Sequence, residues 1–461
     1  MRRASAAAAL LSALAAGCGG VSSNLPRPPA VQQGWEGAPG LRGDLPADGA
    51  WWTSFHDPVL DRLVAMADTD NLDLRLASAR VREARALHAA AAASLFPQLT
   101  GSAGAAAERA VLGAPPTSGP SLTLGATASW EADVFGRLRH EASAQDALVH
   151  GSIAEAEGVR LSLVVEVVRS YVELRLAQSQ RDIATRNAAA AAETLRIGRL
   201  RFEQGLGSRL DVERPTAALA ETRAQVAVAV ERAESARHRL ALLLATTPAS
   251  LAQALPAEGA LPQMDPLAVL LTPTDVISRR PDVRAAGHAF VAASARRESA
   301  AALQWPRLTL AASVGVDGNV AALPWTAIAN LSAGLLAPIF DFGRIRAGVD
   351  AADARQEQAA LAYERVARVA VNDVQAAVVA YAQGLVRRDE LSTAVAAARK
   401  AGEIAHRQYA EGTISLLEVL DAERAQRDTE LAWSQAAAEV SLRAVRLYQA
   451  MGIVSPRGPR S

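Results

Sequence analysis

Small and polar residues alternate with apolar ones along Ser121-Leu-Thr-Leu-Gly-Ala-Thr-Ala-Ser-Trp130, the period-two pattern of a strand with two unlike faces. Four such stretches are expected, at about 98–108, 121–131, 307–317 and 326–340. They form two pairs, joined by Gly113-Ala-Pro-Pro-Thr-Ser-Gly-Pro120 and by a loop around 318–324. Each stretch has about the length at which a tilted strand crosses a bilayer. Two hairpins cannot close a barrel alone, but could do so by combining subunits.

After each strand pair the pattern becomes helical. Residues 137–204 and 344–411 are 68 residues each and contain no proline. As helices they would each run about 100 Å at 1.5 Å per residue, longer than any helix of an ordinary globular domain. Both end at a glycine, Gly205 or Gly412, and turn back through Ser-capped return helices at about 210–245 and 416–451. The return helices are only half as long. A short amphipathic helix near 58–67 and a longer one at about 71–94 precede the first strand pair. Stacked end to end with a return helix, the longer one makes up the deficit.

The chain repeats itself. Arg201-Phe-Glu-Gln-Gly-Leu-Gly-Ser-Arg-Leu-Asp-Val212 returns as Gln408-Tyr-Ala-Glu-Gly-Thr-Ile-Ser-Leu-Leu-Glu-Val419, an offset of 207 residues. Asp133-Val-Phe-Gly-Arg-Leu-Arg139 returns as Phe340-Asp-Phe-Gly-Arg-Ile-Arg346 at the same offset, whereas Asp73 and Phe96-Pro97 pair with Asp282 and Trp305-Pro306 at 209. A period this long is not that of a solenoid, so the copies are two halves of one object. The organisation expected is 1–17 signal peptide, 18–50 tether, 51–250 first repeat, 251–275 connecting segment, 276–452 second repeat and 453–461 tail.

Charge excludes one class of partner. Basic and acidic residues balance at 48 each, and no basic tract is present, so nucleic acid is not an expected partner. Met-Arg-Arg, an apolar run over residues 6–16 and Gly17-Cys18-Gly19 read as a secretory signal. Leu14-Ala-Ala-Gly-Cys18 resembles a bacterial lipobox, and Cys18 is the chain's only cysteine, so lipid attachment there is expected; ordinary cleavage near Ala16 is the alternative. No run of 18 uncharged apolar residues follows, and no helical membrane span is expected.

Only 4% of the chain is aromatic, yet Phe96, Trp130, Phe135, Trp305, Phe340 and Phe342 all fall at one end of the strands, with Trp325 at the other. A membrane-interface girdle has this form; the alternative is a plug where helices meet a sheet. Enzyme signals are absent. Glu403-Ile-Ala-His406 has Glu-x-x-His spacing without the second motif that a carboxylate-bridged metal pair needs, so His406 reads as a helix-surface residue. Gly205-Leu-Gly207 is followed by Leu210 where a dinucleotide loop needs a small residue, and is a turn.

Several stretches together resemble the outer-membrane factor family, the TolC-like exit ducts, and most closely its NodT-like efflux lipoprotein branch. They are Trp51-Trp-Thr-Ser-Phe-His-Asp-Pro58, Asn71-Leu-Asp-Leu74 with Arg80 and Glu83, Arg280-Pro-Asp-Val283, Phe340-Asp-Phe-Gly-Arg344 and the two Gly-x-x-Ser turns. The resemblance runs from Trp51 to Met451. It implies an α+β membrane protein: a homotrimer whose chains give four strands each to one 12-stranded outer-membrane β-barrel, continued by a long α-helical periplasmic barrel.

Gly205, Leu206 and Ser208, with Gly412, Thr413 and Ser415, would then form hairpin tips that contact a periplasmic adaptor. The remaining partners implied are an inner-membrane pump of the resistance-nodulation-division (RND) type and outer-membrane lipids. No cofactor is expected beyond diacylglycerol and acyl groups on Cys18. Glu418 and Asp421 match a ring of acids that constricts the tip, and Tyr409 and Asp211 match a polar contact that holds it closed. Ile414 stands where some relatives carry an arginine of that network. Spacing offers another role for two of these acids, because Ser208…Asp211 and Ser415…Glu418 fit a capping box. The function implied is a passive exit duct for small molecules in a tripartite efflux system. Rival readings are the duct of a type I protein secretion system and a periplasmic helical scaffold lipoprotein with no pore.

Overall fold

The computed structural model describes residues 34–35, 49–107, 120–256, 259–264, 271–319 and 325–454. The signal peptide, Cys18, nearly all of the tether, most of both strand-joining loops and residues 455–461 lie outside the described residues. Two compact units are distinguished. One comprises residues 79–154 and 284–366, and the other contains residues 155–283 and 367–454 together with 49–78.

A short 3-10 turn, Trp51–Phe55, leads into α1 (Pro58–Asp70) and α2 (Leu72–Ala93). Then come β1 (Gln98–Ala106), β2 (Ser121–Ala132), α3 (Arg137–Glu203) and α4 (Leu210–Leu243). Two short helices that were not expected, α5 (Pro248–Ala254) and α6 (Pro273–Arg279), straddle the two ends of the connecting segment. Each opens with a threonine cap followed by proline, Thr247-Pro248 and Thr272-Pro273. The second half runs α7 (Pro281–Ala302), β3 (Arg307–Asn319), β4 (Thr326–Leu336), α8 (Arg344–Ala410) and α9 (Leu416–Met451). Helices α3 and α8 are both 67 residues long. Strand β4 stops short of the expected Phe340 because Pro338 has no N–H to give to a ladder.

The first unit holds the sheet, an antiparallel ladder in the order β1-β2-β3-β4. Its register separates two faces. Thr100, Thr127, Ser313 and Asn330 lie in one row across all four strands, with Gln98, Ser129 and Ser332 in the next row on the same face. The opposite face carries Leu99 and Leu331, Trp130 and Leu310, Leu124 and Val316. Leu99, Leu331 and Leu335 on it are exposed, so the chain leaves a wide apolar surface without a cover of its own. The three charges on the strands, Glu131, Arg307 and Asp317, all belong to the polar face.

At the strand ends that lead into the helices, carboxylates set the turns. Asp133 accepts from the amides of Leu138 (3.1 Å) and Arg139 (2.8 Å), and Asp341 from those of Gly343 (3.0 Å) and Ile345 (2.8 Å). These amide bonds hold the Asp341 carboxyl below its ordinary range. Glu131 pairs with Arg137 through two bonds of 2.9 and 3.1 Å. The aromatic residues gather here as expected: Phe135 stacks on Trp305 at 5.4 Å, Phe340 meets Phe342 edge-on at 4.5 Å, and Trp130 Nε1 donates to Leu95 O at 2.9 Å. Phe96, Trp305, Phe340 and Phe342 are nevertheless exposed on the single chain.

In the second unit, Trp51 is fully buried and stacks on Tyr448 at 5.3 Å. Asp57 caps α1 and accepts the Tyr171 hydroxyl at 2.7 Å, while Arg160 of α3 grips Asp68 of α1 with two bonds of 2.9 and 2.6 Å. Helix α8 contains an 18-residue window of mean hydropathy 1.2, apolar enough by length and composition to cross a membrane. Its Val369, Val379 and Val386 are exposed on the single chain.

Candidate functional site at the hairpin tips

Both tips obey one local rule. Gly205 takes φ +74° and Gly412 φ +77°, left-handed values that cost a residue with a side chain about 1 kcal/mol. The turn lets Leu206 N–H reach Arg201 O (2.8 Å) and Thr413 N–H reach Gln408 O (2.9 Å), satisfying carbonyls at the ends of α3 and α8. Leu206, Leu210 and Leu417 are left exposed beside the turns.

One of the acids that the resemblance assigns to a gate caps its return helix; the Ser cap expected on the other return helix is not formed, because Arg209, in helical conformation, takes the N-cap position of α4 without a side-chain bond. Ser415 and Glu418 form a capping box, in which Glu418 Oε2 accepts the Ser415 amide at 2.7 Å and its hydroxyl at 3.0 Å. In the first tip Asp211 Oδ2 accepts the Ser208 amide at 2.7 Å and its hydroxyl at 2.8 Å. Both carboxylates are therefore engaged locally. Asp421, three residues beyond Glu418, is exposed and lies outside the box.

Tyr409 is buried with Ala405, Leu416 and Val419, and Ile197 and Ile414 pack against this cluster. The guanidinium of Arg201 lies 4.6 Å from the centre of the Tyr409 ring, a cation–π contact between the two hairpins. Within the chain, Tyr409 and Asp211 thus take different neighbours, Arg201 and Ser208. Packing is tight where α3 meets the start of α4: a Cβ built on Gly198 would lie 2.5 Å from the Asp211 carbonyl oxygen.

A second contact between the hairpins centres on Glu423. Its Oε1 accepts the Thr194 hydroxyl of α3 at 2.6 Å and lies 3.1 Å from His406 Nε2 of α8. His406, expected as a helix-surface residue, is half-buried in this cluster. Its hydrogen bond to Glu423 raises its pKa against the opposing effect of burial. Thr194 and Glu423 escape a motif-based reading, and His406 was met only as part of a Glu-x-x-His spacing, because none is a repeated position: the 207-residue offset sets Thr194 on Ala401, His406 on Arg199 and Glu423 on Thr216. Polar residues that the other copy lacks are the signal that could have found them. Among the described residues no group of three or more His, Cys, Asp or Glu side chains is placed to hold a metal ion.

A family model described as outer membrane efflux protein matches residues 63–246 and again 272–453. The chain is 31% identical over 457 residues to the pyoverdine export outer membrane protein OpmQ of Pseudomonas aeruginosa, covering 96% of this chain and 94% of OpmQ. It is 28% identical over 413 residues to the probable outer membrane lipoprotein SilC of Salmonella typhimurium, covering 86% and 87% of the two chains. The solved structure of the outer-membrane channel OprN matches with a TM-score of 0.84 and 31% identity, covering 95% of this chain and all of that one. The stretches that first suggested an outer-membrane factor lie within a match of nearly full length, and the chain belongs to the outer membrane efflux protein family.

Proposed function

We propose that the chain is the outer-membrane exit duct of a tripartite efflux system, a passive channel through which small molecules leave the cell. The observation that carries this reading is the open four-stranded sheet with one polar and one exposed apolar face. A sheet facing water on one side and lipid on the other has this alternation, and its edge strands β1 and β4 call for partners. Three chains, each giving four strands, would close a 12-stranded barrel that leaves no edge. The matched 67-residue helices and the two glycine turns support an origin by tandem duplication.

In this reading the long helices form the periplasmic part of the duct, and the exposed leucines at the tips meet an adaptor protein that joins the duct to an RND-type pump. Cys18 carries the lipid anchor, in keeping with the lipoprotein description of SilC. Asp421 lines the periplasmic constriction, where three carboxylates on one axis repel one another and favour cations. Glu418 acts there chiefly through the cap it holds, Asp211 through its bonds to Ser208 in the turn, and Tyr409 through its packing with Arg201. The export named for OpmQ favours small-molecule efflux over type I protein secretion. Expression with a cognate adaptor and RND-type pump, in a host lacking its own outer-membrane duct, should restore resistance to the pump's substrates. Unchanged sensitivity with the protein correctly inserted would refute the efflux role.

A further inference from the structure

We propose that Thr194, His406 and Glu423 form a clamp that holds the two helical hairpins of each chain together near their tips, and that it weakens as pH rises. This rests on the duct reading for its consequence but not for its geometry. Thr194 comes from α3, in the first hairpin, and reaches Glu423 on α9, in the second, at 2.6 Å. His406 on α8 approaches the same carboxylate oxygen at 3.1 Å. One oxygen thus collects a donor from each hairpin. The side chain of Glu423 is only 17% exposed, so water does little to replace a lost partner.

The charged group acting on His406 from α9 is Glu423; α3 contributes the uncharged Thr194 hydroxyl. A protonated His406 offsets the carboxylate's charge and orients it toward Thr194. Because the histidine's pKa is raised in the folded chain, its contribution is complete below the ordinary value near 6.5. It is lost as pH rises through the higher folded value. Neutral His406 leaves the half-buried carboxylate with less to hold it, and the link to α3 loosens. The cation–π contact of Arg201 with Tyr409 remains as a second link that keeps the hairpins associated. His406 and Glu423 are positioning residues, since neither needs to touch a transported molecule.

The test uses the full-length protein in detergent with spin labels at Leu206→Cys and Thr413→Cys, Cys18 being left in place because its sulfur carries the lipid. Pulsed electron–electron distances are recorded at pH 6 and pH 8.5. The intact clamp should give a narrow tip-to-tip distribution at pH 6 that broadens at pH 8.5. H406Q should abolish the pH dependence, and T194V should broaden the distribution at both values. Lys400→Gln, on the same helix, should behave as the parent. Equal distributions at the two pH values, or an H406Q protein that keeps the full pH response, would overturn the proposal. The distances are read whether or not the protein conducts, so a failed clamp and a failed duct give different results.

Discussion

Asn71 Nδ2 donates to the carbonyl of Leu243 at 2.9 Å, tying the start of α2 to the end of α4. The same side chain caps α2, its Oδ1 accepting from the amides of Asp73 (2.8 Å) and Leu74 (3.2 Å). One buried residue therefore joins two half-length helices end to end, as their lengths in the sequence suggested. Replacing it with Ala removes a cap, about 1 kcal/mol, and strands a partly buried carbonyl, about 1 kcal/mol more. N71A should lower the thermal midpoint clearly, and N71D, which keeps the cap but lacks the donor, should fall between it and the parent. Differential scanning fluorimetry checks the order; an N71A protein as stable as the parent would contradict it.

The second half makes the same joint with a different residue. Arg280 lies between α6 and α7 and donates to Ala450 O near the end of α9 (3.1 Å), to Ala370 O, and to Asp282 and Asp373. Burial alone would lower its pKa, but the two carboxylates raise it. Asp282 and Asp373 are nearly half exposed and can be solvated when the arginine is lost, so the orphaned carbonyls set the cost at about 2 kcal/mol for R280M. R280K should recover only part of this, because an ammonium cannot fork between these acceptors. Denaturant midpoints of the two variants measure the difference.

Two glycines near the first tip should differ in kind. A side chain at Gly205 meets nothing within 4 Å and suffers only the left-handed backbone, so G205A should cost about 1 kcal/mol. At Gly198 even a methyl group collides with the Asp211 backbone, and α3 and α4 must part. G198A should therefore increase proteolysis at the tip more than G205A does, a comparison that limited trypsin digestion makes directly.

Tyrosine ionisation reports on the second unit. Burial, then the hydrogen bond to Asp57, pushes the Tyr171 pKa up to about 12. The raised value means that its contribution to stability is intact below pH 10 and is lost as pH climbs through about 12. Absorbance at 295 nm should show a late step among the chain's five tyrosines that disappears in Y171F. Titration of all five near pH 10 would contradict the buried Asp57–Tyr171 bond.

The strands, the long helices and the glycine turns were legible because each obeys a local rule: alternation at Ser121–Trp130, absence of proline over 137–204, and left-handed backbone at Gly205 and Gly412. Even the capping box at Ser415 and Glu418 followed from spacing. The helices α5 and α6 were missed because seven-residue elements hold too few periods for a pattern, although their Thr-Pro starts were in view. The cluster at Glu423 joins residues 229 positions apart, and such a contact depends on how hairpins pack rather than on any local rule. Glu418 illustrates the converse, since the chemistry that suits a pore-lining acid also suits a helix cap.

The central claim is that this chain makes a channel, and recording from the purified protein in planar bilayers tests it most directly. The account predicts a small, cation-selective conductance that rises in D421A, while E418Q, which can still accept the Ser415 amide, stays near the parent. A folded protein that inserts into the bilayer and passes no current, or one that remains a soluble monomer in detergent-free buffer, would contradict it.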